Sequence, residues 1–110
     1  MPIEDNKPDQ NKISGERTEG ILLDEKQWLY LKDKYGLTSR ELQVAILLCR
    51  GFTNERIAKA LDIKQGTVKT HLRNLYRRFR VKNKVRMILI LIDDVINKFY
   101  IPSDAVPHHV

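Results

Sequence analysis

Residues 66–80, GTVKTHLRNLYRRFR, combine two patterns that together decide the fold. Apolar side chains recur at i, i+4, i+7 and i+11, at Val68, Leu72, Leu75 and Phe79. This spacing is typical of a helix that buries one side. The same stretch contains five lysines and arginines and no acidic residue, whereas surfaces that need only solubility usually mix both signs. We therefore predict a one-sided helix, the basic helix, whose outer face meets an anionic partner.

The residues before the basic helix predict two shorter helices. Thr38 and Glu41 have the spacing of a capping box, which predicts the start of a helix that Gly51 ends. Its predicted inward residues are Leu42, Ala45, Ile46 and Cys49. Thr53 can cap the next segment, NERIAKAL (54–61), and a tight connection then leads into the basic helix. A short helix, a tight turn and a longer basic helix form a helix-turn-helix.

Two more helices flank this motif. Asp24 can cap a short amphipathic helix that stops at Gly36. After the basic helix, another begins near Asn83 and runs to Tyr100, before Pro102. No segment alternates with period two over a useful length. The sequence therefore predicts an all-α protein: a four-helix helix-turn-helix domain with an extra N-terminal helix and a long C-terminal helix.

Composition divides the 110 residues into four predicted segments. Residues 1–20 are polar and contain proline and glycine, which predicts a disordered tail. Residues 21–36 hold the accessory helix, residues 37–100 the helix-turn-helix domain, and residues 101–110 a C-terminal tail. The chain is too short for a second sizeable core.

Positive charge is concentrated in the middle of the chain, although the whole carries a formal charge of only +6. Residues 38–86 contain thirteen lysines and arginines against three acids, a formal charge of +10. Residues 1–37 have six against eight and residues 87–110 one against three, so each flank carries −2. This asymmetry favours an anionic partner for the middle segment.

The polar side of the basic helix has the residue types that read DNA. Lys69, Arg73 and Arg77 follow one another a turn apart and form what we call the cationic row. Thr70 and Asn74 lie beside it. Long cations reach guanine edges or phosphates, while threonine and asparagine suit thymine methyls and adenine edges. The pattern predicts that the basic helix enters the major groove of double-stranded DNA.

Residues 37–92 resemble the LuxR/FixJ-type (GerE-like) helix-turn-helix domain of bacterial transcriptional regulators. The matching pieces are LTSRE at the start, Gly51 before a polar cap, IAKAL in the scaffold helix, and TVKTH followed by a basic-apolar helix and a valine. This combination is specific, whereas a lone TVK would be weak. The chain departs from the usual family pattern at four positions: Arg56, Asp62, Lys64 and Lys84. A glycine, a serine-like cap and an arginine are usual at the last three, and an acid at position 56 would complete a capping box.

The resemblance implies a role for individual residues. Base contacts would come from Lys69, Thr70 and Arg73. Contacts to the DNA backbone would come from Asn54, Thr67, His71, Arg77, Lys82 and Lys84. The last helix of such domains is a frequent dimer contact, which implies a homodimer on paired half-sites.

That last helix carries more apolar surface than a small core can cover. One predicted stripe consists of Val85, Ile88, Leu89, Ile92, Val95, Ile96 and Phe99, with Met87, Ile90 and Leu91 on its flank. Burying such a side chain is worth about 1.5–3 kcal/mol, so exposure of all of them is unfavourable. Two segments could cover the remaining apolar surface of this helix. One is residues 22–35 of the same chain, and the other is a second copy, with a dimer interface at Ile88, Ile92, Val95, Ile96 and Phe99.

The sequence contains no pattern for catalysis, a metal or a cofactor. Cys49 lies in the apolar run VAILLC, which predicts a buried, inert thiol. His71 has no second ligand one turn away, and Asp93 and Asp94 are neighbours that do not face each other on a helix. We find no signal peptide and no membrane-spanning run. We expect a cytoplasmic, nucleoid-associated protein that is not an enzyme and has no cofactor and no small-molecule substrate.

Two other functions fit the pattern. A sigma factor's promoter-recognising region shares the L-T-x-R-E start and the helix-turn-helix, and such a module would bind RNA polymerase and a single promoter element. The second alternative is a protein-interaction module that uses its last helix and merely retains a basic one. Binding of an inverted repeat would favour the dimeric regulator over both.

Overall fold

The computed structural model describes residues 22–101, which contain helices and no strands. The helices are α1 (Glu25–Tyr35), α2 (Ser39–Cys49), α3 (Asn54–Leu61), α4 (Gln65–Phe79) and α5 (Lys84–Val95), and a π-helical turn, Ile96–Tyr100, continues α5. The all-α prediction is confirmed, and α3 and α4 form the helix-turn-helix. The predicted N-terminal tail and residues 102–110 lie outside the described residues, so the division into four segments stays a prediction.

The first two helices begin at capping boxes. Asp24 Oδ1 accepts a hydrogen bond from the Gln27 N–H at 2.8 Å, and Gln27 Oε1 accepts one from the Asp24 N–H at 2.9 Å. Thr38 and Glu41 exchange the equivalent bonds at 3.0 and 2.9 Å. Each box satisfies two backbone donors that the helix itself leaves open. The chain turns out of α1 at Gly36, whose φ of 65° suits glycine.

The junction between α3 and α4 contains two of the departures from the family pattern and accommodates both. Asp62 ends α3 in the left-handed conformation, with φ 56° and ψ 50°, which aspartate tolerates better than most residues. Lys64 precedes α4 and provides no side-chain cap. Instead, the N–H groups of Thr67 and Val68 donate to the Lys64 carbonyl at 3.0 and 3.1 Å. The first turn of α4 is therefore closed by backbone bonds alone.

Arg56, the third departure, contacts an aromatic ring. Its guanidinium carbon lies 4.1 Å from the centre of the Phe52 ring, a cation–π geometry. Thr53 still caps α3, since its hydroxyl oxygen accepts from the Arg56 N–H at 3.2 Å. An acid at position 56 would complete a capping box but could not make the ring contact.

A single core joins the five helices. The four apolar residues that define the basic helix are all buried, as predicted. The predicted inward face of α2 is partly wrong: Ala45 and Cys49 are buried, but Leu42 and Ile46 are only partly buried, and Val44 and Leu48 are buried instead. The reason is that α2 contacts α1, α3 and α4, so its buried surface is wider than one stripe and is rotated from the predicted one.

The buried row of α5 combines one residue of the predicted apolar stripe with two from its flank. Met87, Leu91 and Val95 face the core, whereas Val85 and Leu89 are 61% and 56% exposed. Two apolar rows run along this helix, and periodicity does not tell which of them the core takes. Val95 was expected in a dimer interface, but it is 3% exposed and packs inside its own chain.

Helix α1 packs against the C-terminal ends of α4 and α5. The Tyr35 ring stacks on Phe79, with centroids 4.0 Å apart, and the Tyr35 hydroxyl donates to the Asp94 carboxylate. Tyr30 meets Phe99 edge to face, with centroids 5.6 Å apart. Residues of α1 therefore do cover part of the last helix, as one of the two expected occupants would. The outer row of α5, formed by Ile88, Leu89, Ile92 and Ile96, stays half-buried or exposed.

Candidate nucleic-acid interface

The cationic row lies on the solvent side of α4. Lys69, Arg73 and Arg77 are all exposed, and the opposite side of the helix is buried in the core. Within residues 22–101, no carboxylate lies within 4.0 Å of any of these three cations. The ion pairs found there join Lys34, Lys59 and Arg78 to carboxylates. Arg77 donates to Asn74 Oδ1 at 3.2 Å. Among the described residues, the row thus presents positive charge without a paired carboxylate along the surface of the helix.

Thr70 lies beside the cationic row, and its hydroxyl group donates a hydrogen bond within the helix. Its Oγ1 donates to the Gly66 carbonyl at 3.1 Å, a bond within the helix. The exposed part of the side chain is therefore a methyl group and an oxygen that can accept. A methyl group at this position suits contact with a thymine methyl.

The residues expected to contact the DNA backbone lie on three parts of the fold. Thr67 is exposed in the first turn of α4, and His71 is half-buried one turn later. Asn54 is half-buried at the first position of α3. Lys82 and Lys84 are exposed around the start of α5, beyond the other end of α4. Their contacts with DNA stay predictions.

A cleft at the C-terminal end of α4 was not anticipated from the sequence. It has a volume of about 580 Å³ and is lined by Tyr35, Asn74, Arg77, Arg78 and Arg80. The run RRFR predicts the positive charge of this end of the helix. No local pattern in the sequence predicts that Tyr35 of α1 lines the cleft.

The described residues offer little for other chemistry. Burial raises the pKa of the Cys49 thiol to about 12, which keeps it protonated and inert at neutral pH. Within residues 22–101, no cluster of three or more His, Cys, Asp or Glu side chains could hold a metal ion. No helix in this range is long and apolar enough to span a bilayer.

A helix-turn-helix whose second helix presents a row of exposed cations is typical of DNA-binding helix-turn-helix proteins. The family model described as "Bacterial regulatory proteins, luxR family" (GerE) matches residues 35–91, more than half of the chain. The chain therefore belongs to the LuxR family of bacterial transcriptional regulators, which is not a family of enzymes. This confirms the resemblance drawn from the sequence. The match begins at the end of α1.

Several relatives share this region. YhjB of Escherichia coli (strain K12) is 41% identical over 61 residues, which cover 56% of this chain and 30% of YhjB. The HTH-type transcriptional regulator MalT of Vibrio campbellii is 47% identical over 53 residues, 48% of this chain and 6% of MalT. The nitrate/nitrite response regulator protein NarP of E. coli is 34% identical over 83 residues, 74% of this chain and 39% of NarP. The chain thus spans less than half the length of each of these relatives. No solved structure matches.

Proposed function

We propose that this chain is a sequence-specific transcriptional regulator that inserts α4 into the major groove of DNA. The observation that carries the proposal is the cationic row, which is exposed and unpaired within residues 22–101. The buried side of α4 fixes that row toward solvent. Relatives named as transcriptional or response regulators match the same region. Such a protein would act on the chromosome in the cytoplasm.

Base reading is assigned to Lys69, Thr70 and Arg73. All three are exposed and belong to the first nine residues of α4, the part of a recognition helix that meets base edges. Contacts from the flanking polar residues, including Arg77 and Lys82, would add affinity through phosphates without reading sequence.

We further propose that the regulator acts as a homodimer through the outer row of α5. Ile88 and Ile92 are half-buried, while Leu89 and Ile96 are exposed, so an apolar strip remains on the surface. An exposed strip of this kind marks an interaction site when it is contiguous. The interface proposed from the sequence is retained without Val95.

The spacing of this strip suits antiparallel pairing with a second copy, and a cleft adjoins it at Leu89. A surface cleft of about 390 Å³ is lined by Arg86, Leu89, Ile90 and Asp93. An antiparallel pairing of two α5 helices about a two-fold axis at Ile92 would set Ile88 of each chain opposite Ile96 of the other. A two-fold dimer would read two half-sites arranged as an inverted repeat.

Selection from a pool of random duplexes tests the function as a whole. We expect an inverted repeat to be enriched, because each subunit would read one half-site. Enrichment of a single unpaired element would support DNA reading but contradict the dimer, and would favour the sigma-factor-like alternative. Failure to retain any duplex at low salt would refute DNA binding and leave the protein-interaction module.

A further inference from the structure

Arg80 adopts a backbone conformation that its own residue type does not favour. It caps the C-terminal end of α4 with φ 59° and ψ 44°, in the left-handed region. Of residues 22–101, only Arg80 and Asp62 have positive φ without being glycine. Aspartate is enriched in this region, whereas arginine gains nothing there from its side chain. A glycine would close the same turn without strain, so turn formation alone does not account for an arginine.

The Arg80 side chain lines the 580 Å³ cleft together with two more arginines. Of these, Arg78 is neutralised by Glu41, whose Oε1 lies 2.8 Å from Arg78 Nε. Within residues 22–101, no carboxylate lies within 4.0 Å of the Arg77 or Arg80 guanidinium. The cleft therefore retains positive charge after its ion pair is counted.

The remaining polar groups of the cleft supply hydrogen-bond donors. Asn74 Oδ1 accepts from Arg77, which leaves the Asn74 amide NH₂ as a donor. Asp94, which contacts the cleft-lining Tyr35, is engaged by the Tyr35 hydroxyl and by Lys34 Nζ at 3.1 Å. Guanidinium forks beside an amide donor match the oxygens of a phosphate group in both charge and geometry.

Cations in the last turn of a helix also complement its dipole. This simpler explanation covers Arg77 and Arg78, which lie in the last turn of α4. It does not require a strained arginine at the cap itself. The negative end of the helix weakens any anion site placed there, so binding depends on the arginine side chains rather than on backbone groups.

We propose that this cleft binds a phosphate group, with Arg77 and Arg80 as its charged ligands. The phosphate can come from the DNA backbone or from a free phosphorylated compound. Arg77 belongs both to the cleft and to the cationic row, so the cleft adjoins the surface assigned to DNA. The DNA source rests on the proposed function, whereas binding of a free phosphate does not.

The test compares Arg80→Gly and Arg80→Asn with the wild-type chain. Both replacements suit a positive φ, so each keeps the turn and should leave the melting temperature unchanged or raised. Lys26→Gln, an exposed change in the first turn of α1, removes the same charge elsewhere and serves as the control. Inorganic pyrophosphate is titrated calorimetrically, and duplex DNA is titrated at several salt concentrations.

We expect both Arg80 variants to bind pyrophosphate about tenfold more weakly than wild type, as for the loss of one charged hydrogen bond. If DNA is the source, the variants also lose duplex affinity, and the salt slope falls by about 0.9. If the source is a free compound, pyrophosphate binding is lost while duplex affinity matches the control. The proposal is overturned if the Arg80 variants behave like Lys26→Gln in both titrations. A wild-type chain that binds pyrophosphate through Arg80 but no DNA would refute the proposed function alone.

Discussion

Glu41 Oε1 lies 2.8 Å from Arg78 Nε, so one carboxylate links the start of α2 to the last turn of α4. The same oxygen accepts the Thr38 N–H at 2.9 Å. Glu41 is only 3% exposed, and a buried carboxylate needs such partners to offset its lost hydration. This contact anchors the helix that carries the cationic row to the rest of the domain.

Replacing Glu41 with Ala should therefore lower the free energy of unfolding by about 1–3 kcal/mol, because both a cap and a buried charge pair are lost. Arg78 is partly exposed and can be rehydrated, which keeps the loss below that of a fully buried pair. The control is Glu55→Ala, which removes an exposed pair with Lys59 at 3.7 Å and should cost about 0.5 kcal/mol or less. Urea unfolding measures both, and equal losses would show that the Glu41 contact has no special role.

The contact between Tyr35 and Asp94 makes stability depend on alkaline pH. Burial, and then the Asp94 carboxylate, raise the pKa of Tyr35 above its ordinary value of 10.0. The hydrogen bond to Asp94 raises the pKa of Lys34 above 10.5. Above these ordinary values the unfolded chain has lost protons that the folded chain retains, so stability falls as pH rises.

Tyr35→Phe isolates the tyrosine contribution, since it removes the hydroxyl and keeps the ring stack on Phe79. We expect the variant to lose less unfolding free energy than wild type between about pH 10 and pH 12, above the ordinary tyrosine pKa of 10.0. Denaturant titrations across this range provide the measurement. Identical pH slopes for the two proteins would contradict a raised tyrosine pKa.

Arg73→Ala should weaken the preferred duplex by about 1–3 kcal/mol and affect random DNA less, because a base contact is lost. Competition binding at a fixed salt concentration measures the two affinities. Equal losses on preferred and random DNA would refute base reading by Arg73.

Lys82→Ala should instead weaken all duplexes alike and reduce the salt slope by about 0.9, as expected for a lost phosphate contact. Affinity measured against salt concentration on two unrelated duplexes checks this. A loss confined to the preferred duplex would make Lys82 a reader of sequence rather than of the backbone.

Leu89 and Leu91 lie two positions apart on α5 and form a matched pair for testing the dimer. Leu89 is 56% exposed, whereas Leu91 is fully buried. Leu89→Lys should yield a folded monomer in sedimentation experiments, because it places a charge in the outer row of α5 and leaves the core unchanged. Leu91→Ala should lower the unfolding free energy by about 2–5 kcal/mol through a core cavity. A Leu89→Lys protein that still sediments as a dimer would move the interface away from α5.

Features encoded within a few residues were predictable from the sequence. The capping box at Thr38 and Glu41 and the buried row of α4 depend only on local spacing and were found in place. The core-facing row of α5 could not be predicted, since two apolar rows run along this helix and only tertiary packing determines which of them is buried. The cleft beside Arg80 escaped prediction because Tyr35, a distant residue, completes it.

The most direct test of the central claim is a map of backbone amide chemical shifts as a selected duplex is titrated into the labelled protein. If α4 occupies the major groove, the largest changes fall at Lys69, Thr70 and Arg73, and the amides in the middle of α2 move little. Large changes confined to α1 or α5, with those three amides unmoved, would contradict the account.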